Sequence, residues 1–370
     1  MRINKIALNG FRNYEWETVG FAPGTNVISG QNAQGKTNLL EAVYMLSSGR
    51  SFRTRFDKEL VGFGYSEAEI LADVFSHERE QTISIRLKPG QTKKILVNGV
   101  KKTASELAGQ VNAVLFCPDD LNLIKEGAAV RRRLLDNAIS QIRPRYAELL
   151  SEFNKLYEHK TRILKDWREK PSLLDTMDEF SDGMARASAH LIRYRAAFAA
   201  RLNEAAPPIH REFSGEGEEL AIRYTTVSTV RDPFASAREI YYDICEHQER
   251  HRQAELESSQ CLTGAHKDDL EIDINGRPAR SFASQGQTRT AALSLKLAER
   301  EIFLAETGEY PVLLLDDVLS ELDPRRQEFV LNRIGGGQTL ITCCEDDEIS
   351  SRTGGKVIIV EKGKIRACGS

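Results

Sequence analysis

The sequence predicts an α/β domain that is interrupted by a mostly helical insertion, and three observations support this fold class. Short apolar strand candidates alternate with helices near both ends of the chain. The middle third instead repeats its apolar residues at helical spacing. A length of 370 residues suffices for one large domain or two ordinary ones. We therefore place the α/β lobe (lobe I) at residues 1–125 and 258–370, and the helical arm (lobe II) at residues 126–257.

The N-terminal third is predicted to contain strands and one helix. A strand at residues 25–29 leads into a Gly-rich turn, after which Leu39 and Val43 share one face of a helix. The dipeptide Asn98-Gly99 is a strong signal for a two-residue hairpin. The remaining strand candidates of this third lie at about residues 69–76, 81–88 and 111–116.

The middle of the chain is predicted to form packed helices, because its apolar residues lack the sustained heptad repeat of a coiled coil. Pro144 and Pro171 separate the helical stretches. We expect a break at Pro207-Pro208, because proline lacks the N–H group that a helix interior needs. The helices are expected at about residues 134–142, 144–167, 180–206 and 235–256, with one strand at about 220–230.

The C-terminal third returns to alternating strands and helices. Asn275-Gly276 is a second hairpin signal and follows a strand that begins at Leu270. The run Val312–Leu315 has the composition of a strand that is buried on both faces. Helices are expected from about residues 288 and 324, and a further strand at 339–343.

The composition excludes several classes of protein. Hydrophobic residues make up 41% and charged residues 28%, which is the balance of a globular chain. No apolar stretch approaches the roughly 18 residues of a membrane span, and the first residues lack the apolar core of a signal peptide. We therefore expect a cytoplasmic protein without a membrane partner. The six cysteines form no C-x-x-C pair, which favours reduced thiols over a zinc site or a disulfide framework.

Charge is unevenly distributed around the net value of -3. Residues 125–170 carry 12 Lys/Arg and 7 Asp/Glu, a local charge of +5, which leaves -8 for the rest of the chain. Such a basic section is typical of local contact with a polyanion. Arg131, Arg132 and Arg133 are the candidates for contact with DNA phosphates, which would position the DNA without reading its bases. The alternative is a solvated helix face.

The segment Gly30-Gln-Asn-Ala-Gln-Gly35-Lys36-Thr37 fits the phosphate-loop pattern G-x-x-x-x-G-K-[ST], and it lies between a predicted strand and a predicted helix. Its glycines allow backbone N–H groups to converge on phosphate oxygens. Lys36 is expected to bridge the β- and γ-phosphates, and Thr37 to bind Mg²⁺. The candidate nucleotide-binding residues are Gly30, Gln31, Asn32, Ala33, Gln34, Gly35, Lys36 and Thr37.

The strand that begins at Val312 ends in two carboxylates, Asp316 and Asp317. Ligands of open α/β sheets bind at the carboxyl ends of the strands, where these acids lie. We expect Asp316 to hold Mg²⁺, through water, and Asp317 to orient or deprotonate the attacking water. A solvated acidic turn after a strand is the alternative.

Ser284, Gly286 and Gln287 form an S-x-G-Q segment just before a long helix. This arrangement suits an anion site, and it equally suits an ordinary N-cap. The order of phosphate loop, S-x-G-Q, acid-tipped strand and Ser320-Glu-Leu-Asp323-Pro resembles that of the ATP-binding-cassette ATPases. The resemblance implies a P-loop ATPase head of that type with an inserted helical arm. It also implies that the S-x-G-Q segment of one subunit caps, in trans, the ATP of the other.

Further motifs narrow the resemblance to the RecF family of bacterial DNA-repair ATPases, and they cover the chain from residue 1 to about 360. They are Ile6-Ala-Leu-Asn-Gly-Phe-Arg12-Asn13-Tyr14, Ser51-Phe-Arg53, Phe116-Cys-Pro-Asp-Asp-Leu, Arg131-Arg-Arg-Leu-Leu-Asp, Thr263-Gly-Ala-His266-Lys-Asp268-Asp269-Leu and Leu315-Asp-Asp-Val-Leu-Ser-Glu-Leu-Asp-Pro.

The resemblance implies the biology that we expect. Members of this family are cytosolic ATPases that bind duplex or gapped DNA, including single-strand/double-strand junctions, and form homodimers with ATP and Mg²⁺. Their DNA-stimulated hydrolysis of ATP is expected to be slow. They act in recombinational repair and replication restart, where they work with RecR and RecO to help RecA replace single-strand binding protein.

Three departures from the cassette pattern bear on the mechanism. The base that follows the Mg²⁺-binding acid is Asp317 where a glutamate is usual. No histidine occurs in Ile341-Thr-Cys-Cys-Glu, where a γ-phosphate contact is often found. The loop after Phe116 lacks the usual glutamine, and Asp119 and Asp120 are the candidates to replace it. The first two departures favour a slow switch over a motor.

Other chemistry-bearing residues have simpler interpretations. His266, Asp268 and Asp269 resemble a fragment of a metal site, but no further His or Cys stands at ligand spacing, which favours a structural or interface role. Arg12 and Asn13 are expected either to reach the nucleotide or to form a turn at a strand end. The aromatic residues Tyr146, Tyr157 and Trp167 follow the apolar helical pattern, so core packing is favoured over stacking on bases.

Two other classes of protein carry a phosphate loop. A transporter ATPase subunit would need a coupling surface for membrane loops, and the basic helical insertion argues against one. A small-molecule kinase would leave the S-x-G-Q segment and the Asp323-Pro turn without a role.

Overall fold

The computed structural model describes residues 1–215, 217–344 and 351–367. The chain divides into two compact units. The first, which we call the head unit, comprises Met1–Asn122 and the described residues of 292–370. The second, the arm unit, comprises Leu123–Ala291. Five of the cysteines are free thiols, and Cys368 lies outside the described residues.

Strands and helices are numbered here in chain order. The strands are β1 (Arg2–Phe11), β2 (Tyr14–Gly20), β3 (Thr25–Ser29), β4 (Ala68–Ser76), β5 (Arg79–Leu87), β6 (Lys94–Val97), β7 (Val100–Lys102), β8 (Ala113–Phe116), β9 (Leu220–Thr225), β10 (Asp269–Ile274), β11 (Arg277–Pro278), β12 (Val312–Leu315), β13 (Thr339–Cys343), β14 (Lys356–Glu361) and β15 (Lys364–Ala367). The helices are α1 (Lys36–Ser48), α2 (Ala104–Leu107), α3 (Ala128–Ile142), α4 (Pro144–Asp166), α5 (Met177–Ser214), α6 (Ala237–Ser258), α7 (Ala279–Phe282), α8 (Gln285–Thr307) and α9 (Pro324–Arg333).

The head unit contains an antiparallel sheet in the order β2-β1-β4-β5-β6-β7. Its strands alternate between buried and more exposed residues, as in β4, where Ile70, Ala72 and Val74 are buried and Leu71 is exposed. This period-2 pattern is typical of a sheet with one face on the core. The predicted hairpin at Asn98-Gly99 is confirmed, because both residues have positive φ between β6 and β7.

The second sheet of the head unit has the order β15-β14-β3-β13-β12-β8, and the pairs from β14 to β8 are parallel. Every residue of β8, β12 and β13 is buried, which explains the continuous apolar composition of β8 and β12. Because parallel strands end at the same edge, the residues that follow β3, β12 and β13 come together. Helix α1 packs its Leu39 and Val43 into the core, as the sequence predicts.

A buried glutamine ties the two sheets of the head unit together. Gln338 Oε1 accepts a hydrogen bond from Ile3 N–H at 2.7 Å. Its Nε2 donates to Ile3 O at 2.8 Å and to Ala22 O at 2.9 Å. All the hydrogen-bonding groups of this amide are directed at backbone, so burial of the polar side chain is compensated.

The arm unit contains helices α3 to α7, the start of α8 and a small sheet in the order β11-β10-β9. Residues 258–291, which the sequence places in lobe I, belong to this unit because β10 pairs with β9 from Asp269 to Ile274. The hairpin predicted at Asn275-Gly276 is confirmed between β10 and β11. Among the described residues, no helix is sufficiently long and apolar to span a membrane.

The predicted break at Pro207-Pro208 is wrong, because α5 continues through both prolines to Ser214. Proline in a helix interior costs about 3 kcal/mol. Here the turns that follow are held by burial of Ile209, His210 and Phe213. Tertiary packing therefore outweighs the local preference that the sequence expresses.

Candidate functional site

The phosphate loop lies between β3 and α1, and its backbone can be formed only with glycine at both ends. Gly30 has φ +154°, and a Cβ atom there would lie 2.2 Å from Val360 O. Gly35 has φ +122°, and a Cβ atom would lie 2.8 Å from Asn13 Nδ2. The loop is thus closely bounded by its neighbours and presents its backbone at the N-terminus of α1, as a phosphate site requires.

Lys36 begins α1 and is almost completely buried, with 4% of its side chain exposed. Its Nζ donates to Gly30 O at 2.6 Å and to Gln31 O at 3.1 Å, and it contacts Cys344 Sγ at 3.8 Å. Over residues 1–215, 217–344 and 351–367, no carboxylate forms an ion pair with it. The ammonium is therefore held over the loop by neutral oxygens, without a counter-charge from those residues.

The acids at the end of β12 meet the start of α1. The Thr37 hydroxyl donates to Asp316 Oδ1 at 2.9 Å. The Thr342 hydroxyl, at the end of β13, lies 3.1 Å from the same oxygen and 3.3 Å from Asp317 Oδ1. Asp317 N–H donates to Thr342 Oγ1 at 2.7 Å, and Asp317 takes the left-handed backbone conformation with φ +51°.

Burial raises the pKa of Asp316, and the hydrogen bonds from Thr37 and Thr342 oppose that shift. A hydroxyl and a carboxylate in hydrogen-bond contact are oxygen ligands of the kind that Mg²⁺ prefers. A bound cation would stabilise the ionised carboxylate against the burial that now disfavours it. The donor set of Thr37 and Asp316 therefore fits Mg²⁺.

The turn after β1 supports the phosphate loop from outside. Asn13 Nδ2 donates to Gln34 O at 2.8 Å, and the buried Tyr14 hydroxyl donates to Gly35 O at 2.9 Å. Burial raises the pKa of Tyr14, which keeps the phenol protonated as a donor. Arg12 and Asn13 thus form a turn at the end of β1, the second of the two alternatives, and Asn13 holds the loop backbone from there.

Sequence reasoning missed Glu41, a fully buried carboxylate on α1. Arg12 donates to both of its oxygens, at 2.8 and 2.7 Å. The Ser51 hydroxyl also donates to Glu41, and Arg53 lies 3.6 Å away while donating to Asn38 Oδ1 at 2.7 Å. A glutamate in the middle of an apolar helix face indicates that a buried partner of opposite charge is present. Here that partner is the guanidinium of Arg12.

Of the two candidates to replace the missing glutamine, Asp120 has a local role in this structure. Asp120 accepts a hydrogen bond from Cys117 N–H at 2.9 Å and so closes the turn after β8. Burial is the main cause that raises the pKa of the Cys117 thiol, and the carboxylate of Asp120 adds to it. Asp119 is exposed. The segment Ile341-Thr-Cys-Cys-Glu, which contains no histidine, ends at Glu345, which lies outside the described residues.

The S-x-G-Q segment starts α8 in the arm unit with a reciprocal cap. Ser284 Oγ accepts from Gln287 N–H at 3.2 Å, and Gln287 Oε1 accepts from Ser284 N–H at 2.8 Å. Gln287 Nε2 donates to Glu218 at 2.8 Å, and Lys125 Nζ donates to Ala283 O at 2.7 Å. The capping interpretation is thus realised, while Ser284 itself stays exposed.

The three consecutive arginines of α3 have different environments. Arg131 is buried and donates to both oxygens of Asp269, at 2.7 and 2.8 Å, and to Glu126 O at 2.6 Å. Arg132 is half-buried and donates to Asp268 O at 2.6 Å. Arg133 is exposed. We therefore correct the DNA prediction for Arg131, whose donors are used within the fold, and keep Arg133 as the leading candidate.

A buried network explains the acids that follow His266. Asp268 is fully buried and accepts from Arg195 at 2.8 Å, from Tyr224 at 2.5 Å and from Thr226 at 2.6 Å. Arg195 also pairs with Asp136, which the buried Tyr146 contacts. In the described part of the chain, no cluster of His, Cys, Asp and Glu could hold a metal ion.

His266 and the aromatic residues around it belong to the packing of the arm. The imidazole lies against the ring of Tyr157, with a centroid separation of 4.5 Å, and Nε2 is 3.0 Å from Cys261 O. Burial lowers the pKa of His266 to about 4. The structural interpretation of His266 and the core interpretation of Tyr146 are confirmed, since both are packed inside the arm unit.

Known proteins are similar in sequence to nearly the whole of this chain. The RecF/RecN/SMC N terminal domain family matches residues 2–363. The chain is 40% identical over 367 residues to the DNA replication and repair protein RecF of Acetivibrio thermocellus, covering 98% of this chain and 99% of the relative. It is 39% identical over 368 residues to the protein of the same name from Agathobacter rectalis, covering 99% of each.

Solved structures agree with the sequence relatives. The recombination mediator protein RecF with ATP, of the RecFOR pathway, superposes with a TM-score of 0.90 at 35% identity, covering 99% of this chain and 97% of the other. An Smc head domain from Pyrococcus furiosus reaches 0.57 at 18% identity over 99% and 95%, which shows a shared fold. The mixed α/β head with a long helical insertion is thus confirmed as SMC-like, and the chain belongs to the RecF proteins of the RecF/RecN/SMC N-terminal domain family.

Proposed function

We propose that this chain is an ATP-gated DNA clamp that acts in DNA replication and repair. The observation that carries the proposal is the assembly of Lys36, Thr37 and Asp316 at one edge of the parallel sheet. It puts a buried ammonium and a pair of oxygen ligands at the N-terminus of α1. The RecF structures solved with ATP support the choice of nucleotide.

The four candidate site residues of the head unit then have defined roles. Lys36 exchanges its carbonyl partners for the β- and γ-phosphate oxygens. Thr37 and Asp316 hold Mg²⁺, which when bound neutralises charge that develops on the phosphates. Asp317 orients the attacking water and accepts its proton. Because aspartate is one methylene shorter than the usual glutamate, hydrolysis is slow, and the protein works as a switch.

The S-x-G-Q segment serves a second copy of the chain. Ser284 is exposed at the N-terminus of α8, where a hydroxyl and backbone N–H groups suit an anion. Phe282, two residues earlier, is 68% exposed and offers an apolar contact beside it. We therefore assign Ser284, Gly286 and Gln287 to the ATP held by the partner copy, so that ATP drives homodimer formation.

DNA binding and the wider pathway complete the proposal. The arm unit begins with the basic section, and Arg133 is exposed on α3 to contact phosphates of duplex DNA or of a single-strand/double-strand junction. The relatives carry the name DNA replication and repair protein, and a related structure is assigned to the RecFOR pathway. We therefore expect RecR and RecO as partners and promotion of RecA loading as the outcome, in the cytoplasm.

Sedimentation with and without ATP and duplex DNA tests the clamp. The wild type should be a monomer alone, a dimer with Mg²⁺ and ATP, and a larger complex once DNA is added. Asp317→Asn keeps the shape of the side chain but cannot accept a proton, so its dimers should outlast those of the wild type. Dimers of Asp317→Asn that decay at the wild-type rate would remove Asp317 from the catalytic role.

Ser284→Arg is the matched variant for the interface. A long cation at this exposed position should block the dimer, whereas binding of ATP by the monomer should persist because the phosphate loop is untouched. A dimer of undiminished affinity would show that the S-x-G-Q segment does not act in trans. A protein that stays monomeric with ATP under all conditions would contradict the clamp itself.

A further inference from the structure

A chain of hydrogen bonds within the arm unit ends at the S-x-G-Q segment. Gln287 Nε2 donates to Glu218 Oε1 at 2.8 Å. The other carboxylate oxygen, Glu218 Oε2, lies 3.1 Å from His210 Nε2. Because a carboxylate offers acceptors only, His210 Nε2 must carry a proton and donate it. The chain thus runs from the last turns of α5, through the segment before β9, to the first turn of α8.

This contact decides which way the Gln287 amide points. An amide can present either its NH₂ group or its oxygen, and only hydrogen-bond partners distinguish the two orientations. Glu218 requires the NH₂ group, which leaves Oε1 for Ser284 N–H at 2.8 Å. Ser284 Oγ is held in turn by Gln287 N–H at 3.2 Å. Through the Gln287 side chain, Glu218 therefore orients the oxygen that holds Ser284 N–H, while the contact to Ser284 Oγ comes from the Gln287 backbone.

Burial of the side chains decreases along this chain of hydrogen bonds from its inner end to its outer end, as a positioning role requires. His210 is fully buried, Glu218 is 20% exposed and Ser284 is exposed. Rigid packing thus supports the inner end, whereas the outer end is free to meet a ligand. A glutamine at the exposed start of a helix otherwise samples several rotamers, and ordering it on binding costs conformational entropy.

We propose that Glu218, supported by His210, is a positioning residue for the nucleotide contact of the S-x-G-Q segment. It orders Gln287 before the segment meets a nucleoside triphosphate held by a second copy of this chain. This inference rests on the proposed function, because it assumes that Ser284 and Gln287 act across the dimer. It adds to the site an acidic residue, Glu218, that lies outside the S-x-G-Q segment.

The test is a double-mutant cycle on ATP-driven dimerisation, measured by sedimentation of the full chain with Mg²⁺ and ATP. Glu218→Ala should weaken the dimer roughly tenfold, because each of the two sites loses one ordered hydrogen bond. Gln287→Ala should weaken it at least as much. The double variant should be no weaker than Gln287→Ala alone, since Glu218 acts only through Gln287.

Two further variants serve as controls. Glu218→Gln keeps one acceptor for Gln287 at the same size and should lose less affinity than Glu218→Ala. Glu219→Ala removes an exposed carboxylate at the next position and should leave dimer affinity unchanged. ATP titration of the monomer and thermal unfolding, run on every variant, separate positioning from general damage to the arm.

The outcomes divide clearly. Additive losses in the double variant, or a Glu218→Ala dimer of wild-type affinity, would overturn the inference. Monomer ATP affinity that falls along with dimer affinity would also overturn it, because the effect would not arise at the interface. If Ser284→Arg dimerises normally, the trans role of the S-x-G-Q segment fails, and the positioning role fails with it. If Ser284→Arg is monomeric while Glu218→Ala dimerises normally, only the positioning role fails.

Discussion

Lys36 in the head unit and Lys160 in the arm unit are both buried, yet their charges are compensated differently. Lys160 Nζ lies 2.7 Å from Glu255 Oε2, and both side chains are 1% exposed. Glu255 Oε1 also accepts from Leu262 N–H at 2.8 Å and from the Thr263 hydroxyl at 3.1 Å. Lys36 is 4% exposed and donates to backbone carbonyls.

The difference separates a structural cation from a binding cation. A buried charge is tolerated when it is paired and hydrogen-bonded, and Lys160 meets both conditions. Lys36 is hydrogen-bonded but is not paired with a carboxylate among the described residues. An incoming phosphate can therefore supply the missing negative charge. The same contrast applies to Arg131, paired with Asp269, and the exposed Arg133. Compensation by a carboxylate thus marks which cations hold the fold.

Lys36→Ala should have the largest effect on ligand binding. ATP affinity is expected to fall about 100-fold or more, because charged hydrogen bonds contribute roughly 1.5–3 kcal/mol each and Lys36 would make more than one. Equilibrium titration with ATP gives the measurement. Unfolding by urea should change little, since no ion pair with a described residue is broken. Wild-type affinity for ATP would remove Lys36 from the binding role.

Lys160→Met should show the opposite pattern. ATP affinity is expected to stay at the wild-type value, whereas the free energy of unfolding should fall by about 3–5 kcal/mol, because Glu255 is left as a buried, unpaired charge. Chemical denaturation measures the loss. Adding Glu255→Gln removes that charge but keeps an acceptor for Leu262 N–H, and should recover part of the stability. A Lys160→Met protein as stable as the wild type would contradict the assignment.

His266 adds a pH dependence to the stability of the arm. Its pKa in the folded chain is about 4 because of burial, and an unfolded histidine titrates near about 6.5. Between these values the unfolded chain takes up a proton and the folded chain does not, so stability falls as pH falls. From pH 7 to 5 the loss should be about 2 kcal/mol. His266→Gln should flatten this decline, while His190→Gln, at an exposed position, should not.

Arg133→Glu should have the smallest effect, confined to DNA. We expect a modest loss of affinity for all sequences and a salt slope reduced by about 0.9, the value for one phosphate contact on duplex DNA. Arg131→Met is the comparison: it should lower stability by breaking the pair with Asp269 and leave the salt slope unchanged. Binding measured across a salt series decides between them. An unchanged slope for Arg133→Glu would make α3 an ordinary solvated face.

Local patterns in the sequence were sufficient for much of the head. The apolar run of β12, the Asp323-Pro start of α9 and the glycines of the phosphate loop each express a backbone requirement that short sequences encode directly. The proximity of Thr37 and Asp316 was also predictable, because both follow parallel strands that end at one edge.

Long-range partners were beyond the reach of such patterns. Thr342 contacts Asp316 and Asp317 only because β12 and β13 are neighbours in the sheet. Glu41 acquires its partner Arg12 from 29 positions away. The passage of α5 through Pro207-Pro208 depends on packing within the arm, which overrides the local signal. Pairing decided by tertiary contacts leaves no periodic trace in the sequence.

The position of β3 has a consequence for synthesis of the protein on the ribosome. In the sheet, β3 lies between β13 and β14, so its first neighbour in that sheet begins at Thr339, 310 positions after Ser29. At about 5–20 residues per second, translation leaves β3 without either partner for roughly 15–60 seconds. Both edges of this strand are open to wrong pairing during that interval. The arm unit, from Leu123 to Ala291, is fully synthesised before that interval ends, so the parallel sheet that positions the nucleotide site can close only after the arm has been made.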